Sequence, residues 1–184
     1  MSANTFQQNP SFLIGAYTGE QGEATGIGIL TTADDGHTVS GVAARFDSPS
    51  FLTQHPTLPV VYAVGEDIER VAAFRLVASG SNQPPTLEPL GESWAAGEAV
   101  CHASVSPDGA ILIATCWGDG QVVAYALDTE GAIVGRTVAQ PAVDPYSATA
   151  ELPTPPGIPR ISRAHCSLFL PDGRILSSDL GYDT

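Results

Sequence analysis

The chain has 184 residues with 20 acidic and 7 basic side chains; every basic residue is Arg, and the formal net charge is −13. A surface this acidic repels a phosphate backbone, so nucleic acid is excluded as a partner. With 43% apolar residues, 19 Gly and 15 Pro, the chain can bury a sizeable core between many turns, which excludes a disordered or collagen-like chain.

The opening MSANTFQQNP has neither a basic nor an apolar region. The longest apolar runs, such as AILIA at 110–114, are strand-sized, so no signal peptide and no membrane span are expected. Cys101, Cys116 and Cys166 lack the spacing of a zinc site or a disulfide framework and fit a reducing cytoplasm. No metal or cofactor is expected.

Internal repetition organises the rest. FLIGAYTG from Phe12, followed by GIGILTTADDG, aligns with the later segments ILIATCWG and QVVAYALDTEG, so residues 12–46 read as a repeat that begins one strand late. FLTQHPTLPVVYAVGEDIERVAAFRL opens a full repeat over 51–92, and HASVSPDGAILIATCWGDGQVVAYAL a second over 102–140, 51 positions later without a gap. Turn residues at Asp108-Gly109, Gly118-Asp119-Gly120 and Thr129-Glu130-Gly131 divide such a repeat into four antiparallel strands. Glu92–Val100 is the best helical segment but is short and broken by Gly97. The stretch 141–161 is Pro-rich, has no counterpart in the repeats, and should be a surface insertion between them. CSLFLPDGRILSSDLGYD then starts a last copy over 165–184.

Four-stranded repeats of this length predict an all-β fold, a β-propeller. Labelled from the inside outward, the strands run B-C-D, A-B-C-D twice, then A-B: 13 strands in one partial propeller domain over 1–184, three blades plus the opening hairpin of a fourth. Blades from elsewhere, C-terminal or from a complementary chain, would be needed to close the ring.

The start of each A strand and the end of each B strand should share one mouth of the channel. A two-residue turn at Asp108-Gly109 would set His102 opposite Thr115 and Cys101 opposite Cys116. The same turn at Asp172-Gly173 would set His165 opposite Leu180, with Asp179 and Asp183 close by, and Glu66 occupies the matching end in its repeat. Two imidazoles and several carboxylates at one mouth make an acid/base site. Strand alternation turns a channel-facing His away from its neighbouring Cys, so the Cys101-His102 and His165-Cys166 doublets read as packed thiols rather than nucleophiles. His55 and His37 lie away from this mouth, and Gly26-Ile27-Gly28 is strand glycine, since no helix follows.

These segments resemble the lactonase family of seven-bladed propellers, which includes the propeller-type bacterial 6-phosphogluconolactonases and is related to fungal carboxymuconate cyclases. FLIGAYTG is similar to the family's opening strand, PSFLTQHPTLPVVYAVGE to its Tyr-Ala-Val-x-Glu phrase, CHASVSPDGAILIATCWGDGQVVAYAL to its Cys-His blade, and HCSLFLPDGRILSSDLGYD to its histidine-led blade. The resemblance implies hydrolysis of a small-molecule sugar lactone, with His165 and His102 catalytic and Glu66, Arg163, Asp179 and Asp183 binding substrate. Bacterial members commonly carry Pro-His-x-His where this chain has Ser162-Arg163-Ala164-His165, so Arg163 replaces a histidine and either serves an anionic substrate such as a phosphorylated lactone or caps a strand. The absence of a Gly-x-Ser-x-Gly elbow points away from a serine nucleophile. A muconate-type lactonizing cyclase, or a non-catalytic propeller that binds a small ligand or a protein, are the competing expectations.

Overall fold

The computed structural model describes residues 11–32, 38–78, 84–146 and 160–182. Apart from a single 3-10 turn at Gly19–Gln21, the regular structure within them is all β. The first sheet orders β1 (Ser11–Ile14), β2 (Ile27–Thr32) and β3 (Thr38–Ala44); the second orders β4 (Pro49–Gln54), β5 (Val60–Gly65), β6 (Arg70–Val77) and β7 (Thr86–Pro89). The third runs β9 (Val100–Val105), β10 (Ile111–Cys116), β11 (Val122–Leu127) and β12 (Ile133–Val138), and the last pairs β13 (Ala164–Phe169) with β14 (Ile175–Asp179). The strands of each sheet pair antiparallel with their chain neighbours, β8 aside, and the inner strands β4, β9 and β13 stand side by side. This is part of a β-propeller. The described residues hold fourteen strands where 13 are expected, because β8 (Trp94–Ala95) pairs with β6 inside the segment with the best helical signal.

The sheets stack because the middle strands are apolar on both faces, the pattern of a strand covered from two sides. β5, VVYAVG, is buried throughout. Its Val61 and Ala63 join Ile27, Ile29, Phe74 and Leu87 in a core between the first two sheets. Val60, Tyr62 and Val64 turn the other way, against Val100, Leu112, Ala114, Val123 and Tyr125 of the third sheet. Each fully buried Val, Leu, Ile or Phe among them contributes roughly 1.5–3 kcal/mol. The outward faces of the two end sheets stay bare, with Phe12 60% and Leu176 56% exposed.

The inner hairpins depart from the expected two-residue turns. In the third sheet the Ser106 amide donates to the Ile111 carbonyl at 2.8 Å around a four-residue loop, Pro107–Ala110. In the last, the Leu170 amide donates to the Arg174 carbonyl at 2.8 Å around only three residues, Pro171–Gly173. Both loops close through a glycine in the left-handed region, Gly109 at φ 73° and Gly173 at φ 84°. Ala110 is the extra residue, and it shifts the two registers by one position. His102 does face Thr115.

His165 does not face Leu180. A β-bulge lies between the pairs Ala164–Asp179 and Cys166–Ser178, and His165 is the unpaired residue. Cys101 likewise bulges between His102–Thr115 and Val100–Cys116, so it does not oppose Cys116, and all three thiols are free. Ser50 repeats the bulge between Pro49–Gly65 and Phe51–Val64. In register, then, Ser50, Cys101 and His165 are equivalent, and His102 matches Phe51 and Cys166. Asp183 and His37 lie outside the described residues, as does most of the Pro-rich stretch 141–161.

Candidate functional site

The three bulges lie at one end of the inner strands, beside the residue that follows each second strand: Glu66, Trp117 and Leu180. A left-handed residue, Ser48 at φ 43° or Ala99 at φ 50°, leads into β4 and β9. In the last sheet Arg163 holds that place without a positive φ, anchored instead by Asp179.

Each expected site residue within the described residues, that is all but Asp183, has a definite position at this rim. His165 is exposed, and its side chain has no hydrogen-bond partner among the described residues, which leaves both ring nitrogens to solvent. The bulge puts it there, since regular alternation would not. His102 is half-buried, its ring 4.4 Å from that of Phe51. Its Nδ1 accepts the Ser167 amide at 3.3 Å, and Nε2 lies 3.5 Å from Cys166 Sγ. With Nδ1 accepting, the neutral ring carries its proton on Nε2 and donates it toward the sulfur. Burial, then the nearby His165 charge, pushes the His102 pKa down. The expected split of channel-facing His and core-facing Cys therefore fails at the first doublet: His102 bridges two sheets, and the Cys101 thiol donates to the backbone carbonyls of His165 at 3.6 Å and Thr115 at 3.7 Å.

Glu66 is half-buried and accepts the Tyr17 hydroxyl at 3.0 Å. Burial and this bond raise the Tyr17 pKa, so the phenol stays a donor. Glu66 also raises the pKa of Cys101, after burial itself, which places the carboxylate within electrostatic reach of that bulge.

Asp179 is turned inward, only 7% exposed. It accepts the Ser162 hydroxyl and the amides of Arg163 (2.9 Å), Gly181 (2.8 Å) and Tyr182 (2.9 Å). Burial raises its pKa, but the hydroxyl and the amides outweigh burial, and the net shift is downward. Such a carboxylate is occupied by its own loop, and its effect on the rim runs through Arg163. The Arg163 guanidinium lies over the Trp117 ring, 4.3 Å from its centroid, and Nη1 donates to the carbonyls of Trp117 (3.0 Å) and Gly118 (2.7 Å).

The structure thus brings His165, His102, Glu66, Arg163 and Asp179 to one rim and adds Tyr17 and Trp117, which sequence reasoning missed. Their available signal was an aromatic residue in each of two segments, FLIGAYTG and ILIATCWG, already aligned as one strand. No metal-binding group of three or more His, Cys, Asp or Glu occurs among the described residues, and no helix there is long and apolar enough to cross a membrane.

Stacked antiparallel sheets with adjoining inner strands define a propeller, and comparison assigns its kind. The family model "Lactonase, 7-bladed beta-propeller" matches residues 11–184, and the chain belongs to that family. Among solved structures, a Bacteroides fragilis protein described as a candidate 6-phosphogluconolactonase superposes with a TM-score of 0.72 at 21% identity, covering 99% of this chain and 48% of that one. One from Bacteroides uniformis, described in the same way, gives 0.70 at 22%, covering 95% and 48%. The Pseudomonas aeruginosa periplasmic gluconolactonase PpgL gives 0.70 at 20%, covering 93% and 47%. These likenesses are of fold, and the chain spans about half the length of the structures it matches. No curated protein matches it.

Proposed function

We propose that this rim is the mouth of a catalytic channel and that the protein opens a sugar lactone resembling 6-phosphogluconolactone to its acid. The observation that carries the reading is His165, exposed on its bulge without a side-chain hydrogen bond among the described residues, two positions after Arg163 and at the same strand end as Glu66. In the step envisaged, a water oxygen bonds to the lactone carbonyl carbon while His165 takes the water proton. The tetrahedral oxyanion then collapses, the ring C–O bond breaks, and the imidazolium returns the proton to the leaving ring oxygen. Arg163 would receive an anionic group of the lactone or steady the oxyanion. Glu66, held by Tyr17, would contact the substrate hydroxyls. His102, with both nitrogens engaged, would position the strand that carries His165, and Asp179 would position Arg163. Blades outside this chain would complete the pocket. Three free thiols support a reducing compartment such as the cytoplasm.

The test is acid release from 6-phosphogluconolactone by the chain joined to the blades that close its ring, with His165→Ala beside it. Loss of about 10²-fold or more in kcat at unchanged melting is expected. Equal hydrolysis by both proteins would overturn the role of His165, and no hydrolysis by a closed ring would leave a propeller that binds without chemistry.

A further inference from the structure

We propose that Trp117 and Arg163 form one platform that selects a sugar ring bearing an anionic group, an inference that rests on the lactonase reading of the rim. Trp117 follows β10 as Glu66 follows β5, and its amide donates to the Ala99 carbonyl at 3.0 Å, which fixes its backbone at the rim. Trp117 is nevertheless 45% exposed, a large apolar residue beside the bulges. Arg163 occupies one ring face, and with Nη1 committed to two carbonyls its orientation is set. The Nη2 and Nε protons have no partner among the described residues.

The two surfaces ask for different chemistry. An indole face stacks on the C–H face of a pyranose, and the free edge of a fixed guanidinium pairs with an oxyanion in a bidentate way. Inorganic phosphate satisfies only the arginine, and a neutral sugar only the indole. In a chain of net charge −13, an anion is drawn in only where a cation is presented, so the pair sets specificity.

The chain holds two tryptophans, so Trp94→Phe leaves Trp117 as the only indole reporter. Its emission is titrated with glucose 6-phosphate, a ring that cannot be hydrolysed as a lactone, and with glucose and inorganic phosphate alone. A saturable change is expected with glucose 6-phosphate, about tenfold weaker with glucose, and none with phosphate. Arg163→Met should bring glucose 6-phosphate down to the affinity of glucose, while Arg163→Lys retains part of the difference. Absence of any sugar response, or equal affinities for the two sugars in the Trp94→Phe chain, overturns the platform without any change at Arg163. Lactone hydrolysis by the closed ring separates the two ideas. Hydrolysis with an unchanged KM in Trp117→Ala refutes the platform alone, whereas sugar phosphate binding without hydrolysis refutes the lactonase reading alone.

Discussion

His102 Nε2 lies 3.5 Å from Cys166 Sγ, and the same ring accepts the Ser167 amide through Nδ1 at 3.3 Å. One side chain therefore joins β9 to β13, and stacking on Phe51 extends the contact to β4. Three inner strands meet at one imidazole.

That imidazole makes stability depend on pH. The folded protein holds its pKa below the unfolded value of about 6.5, first through burial and then through the His165 charge. A depressed histidine resists protonation in the folded state while the unfolded chain takes the proton freely. Its contribution is therefore complete above about pH 6.5 and declines as pH falls toward the folded value. Urea midpoints measured from about pH 8 to 5 should fall across that window, and His102→Gln should flatten the fall. An unchanged slope in the variant would show that another group carries it.

Asp179 ties down Ser162, Arg163, Gly181 and Tyr182. Asp179→Ala leaves these donors without their acceptor and should cost on the order of 2 kcal/mol. Amide hydrogen exchange should quicken at Arg163, Gly181 and Tyr182 while the β5 amides stay protected. The folded carboxyl titrates below its ordinary value, so its support is present above about pH 3.9 and is lost as pH falls through the lower folded pKa.

Gly109 and Gly173 close equivalent hairpins with different surroundings. A Cβ at Gly109 would overlap the His55 ring, whereas at Gly173 nothing lies within 4 Å. His55 is itself fixed, its Nδ1 accepting the Leu58 amide at 3.0 Å and its Nε2 donating to the Gly109 carbonyl at 3.2 Å. Gly173→Ala should cost about 1–2 kcal/mol for the left-handed backbone alone. Gly109→Ala should cost more, by the overlap added to the same backbone strain. Thermal or urea unfolding of the two variants measures the difference, and equal losses would mean that His55 yields freely.

The thiols should rank by burial. Cys116 is fully buried, with its pKa pushed up to about 12, and burial and then Glu66 also raise Cys101. Thiolate is the reactive form, so native alkylation mapped by mass spectrometry should label the half-buried Cys101 and Cys166 ahead of Cys116, which reacts only on unfolding.

The sequence makes the fold legible where chemistry repeats. The 51-residue offset between FLTQHP and HASVSP, the Asp-Gly turns and the unbroken apolar run of β5 each follow from a blade covered on both faces. The bulges were not legible, because period-2 reasoning carries a register straight through a strand and a single unpaired residue breaks it. The last hairpin lacks a counterpart of Ala110, and that one-residue difference together with the bulge takes His165 out of the pairing that a common turn would give it. At the rim, His165 and Glu66 could be read from the repeat and Arg163 from the family resemblance, but the roles of His102 and Asp179 depend on partners 65 and 16 positions away. Tyr17 and Trp117 were passed over because an aromatic at a strand end looks the same whether it packs or is presented.

The repeated bulge separates what the blades present from what holds them together. Each extra residue is absorbed locally, with regular pairing restored on the hairpin side of it, so Ser50, Cys101 and His165 occupy one backbone position in three sheets. Of the three, only the position in the last sheet opens to solvent, so the same backbone device buries a hydroxyl at Ser50, half-buries a thiol at Cys101 and presents an imidazole at His165.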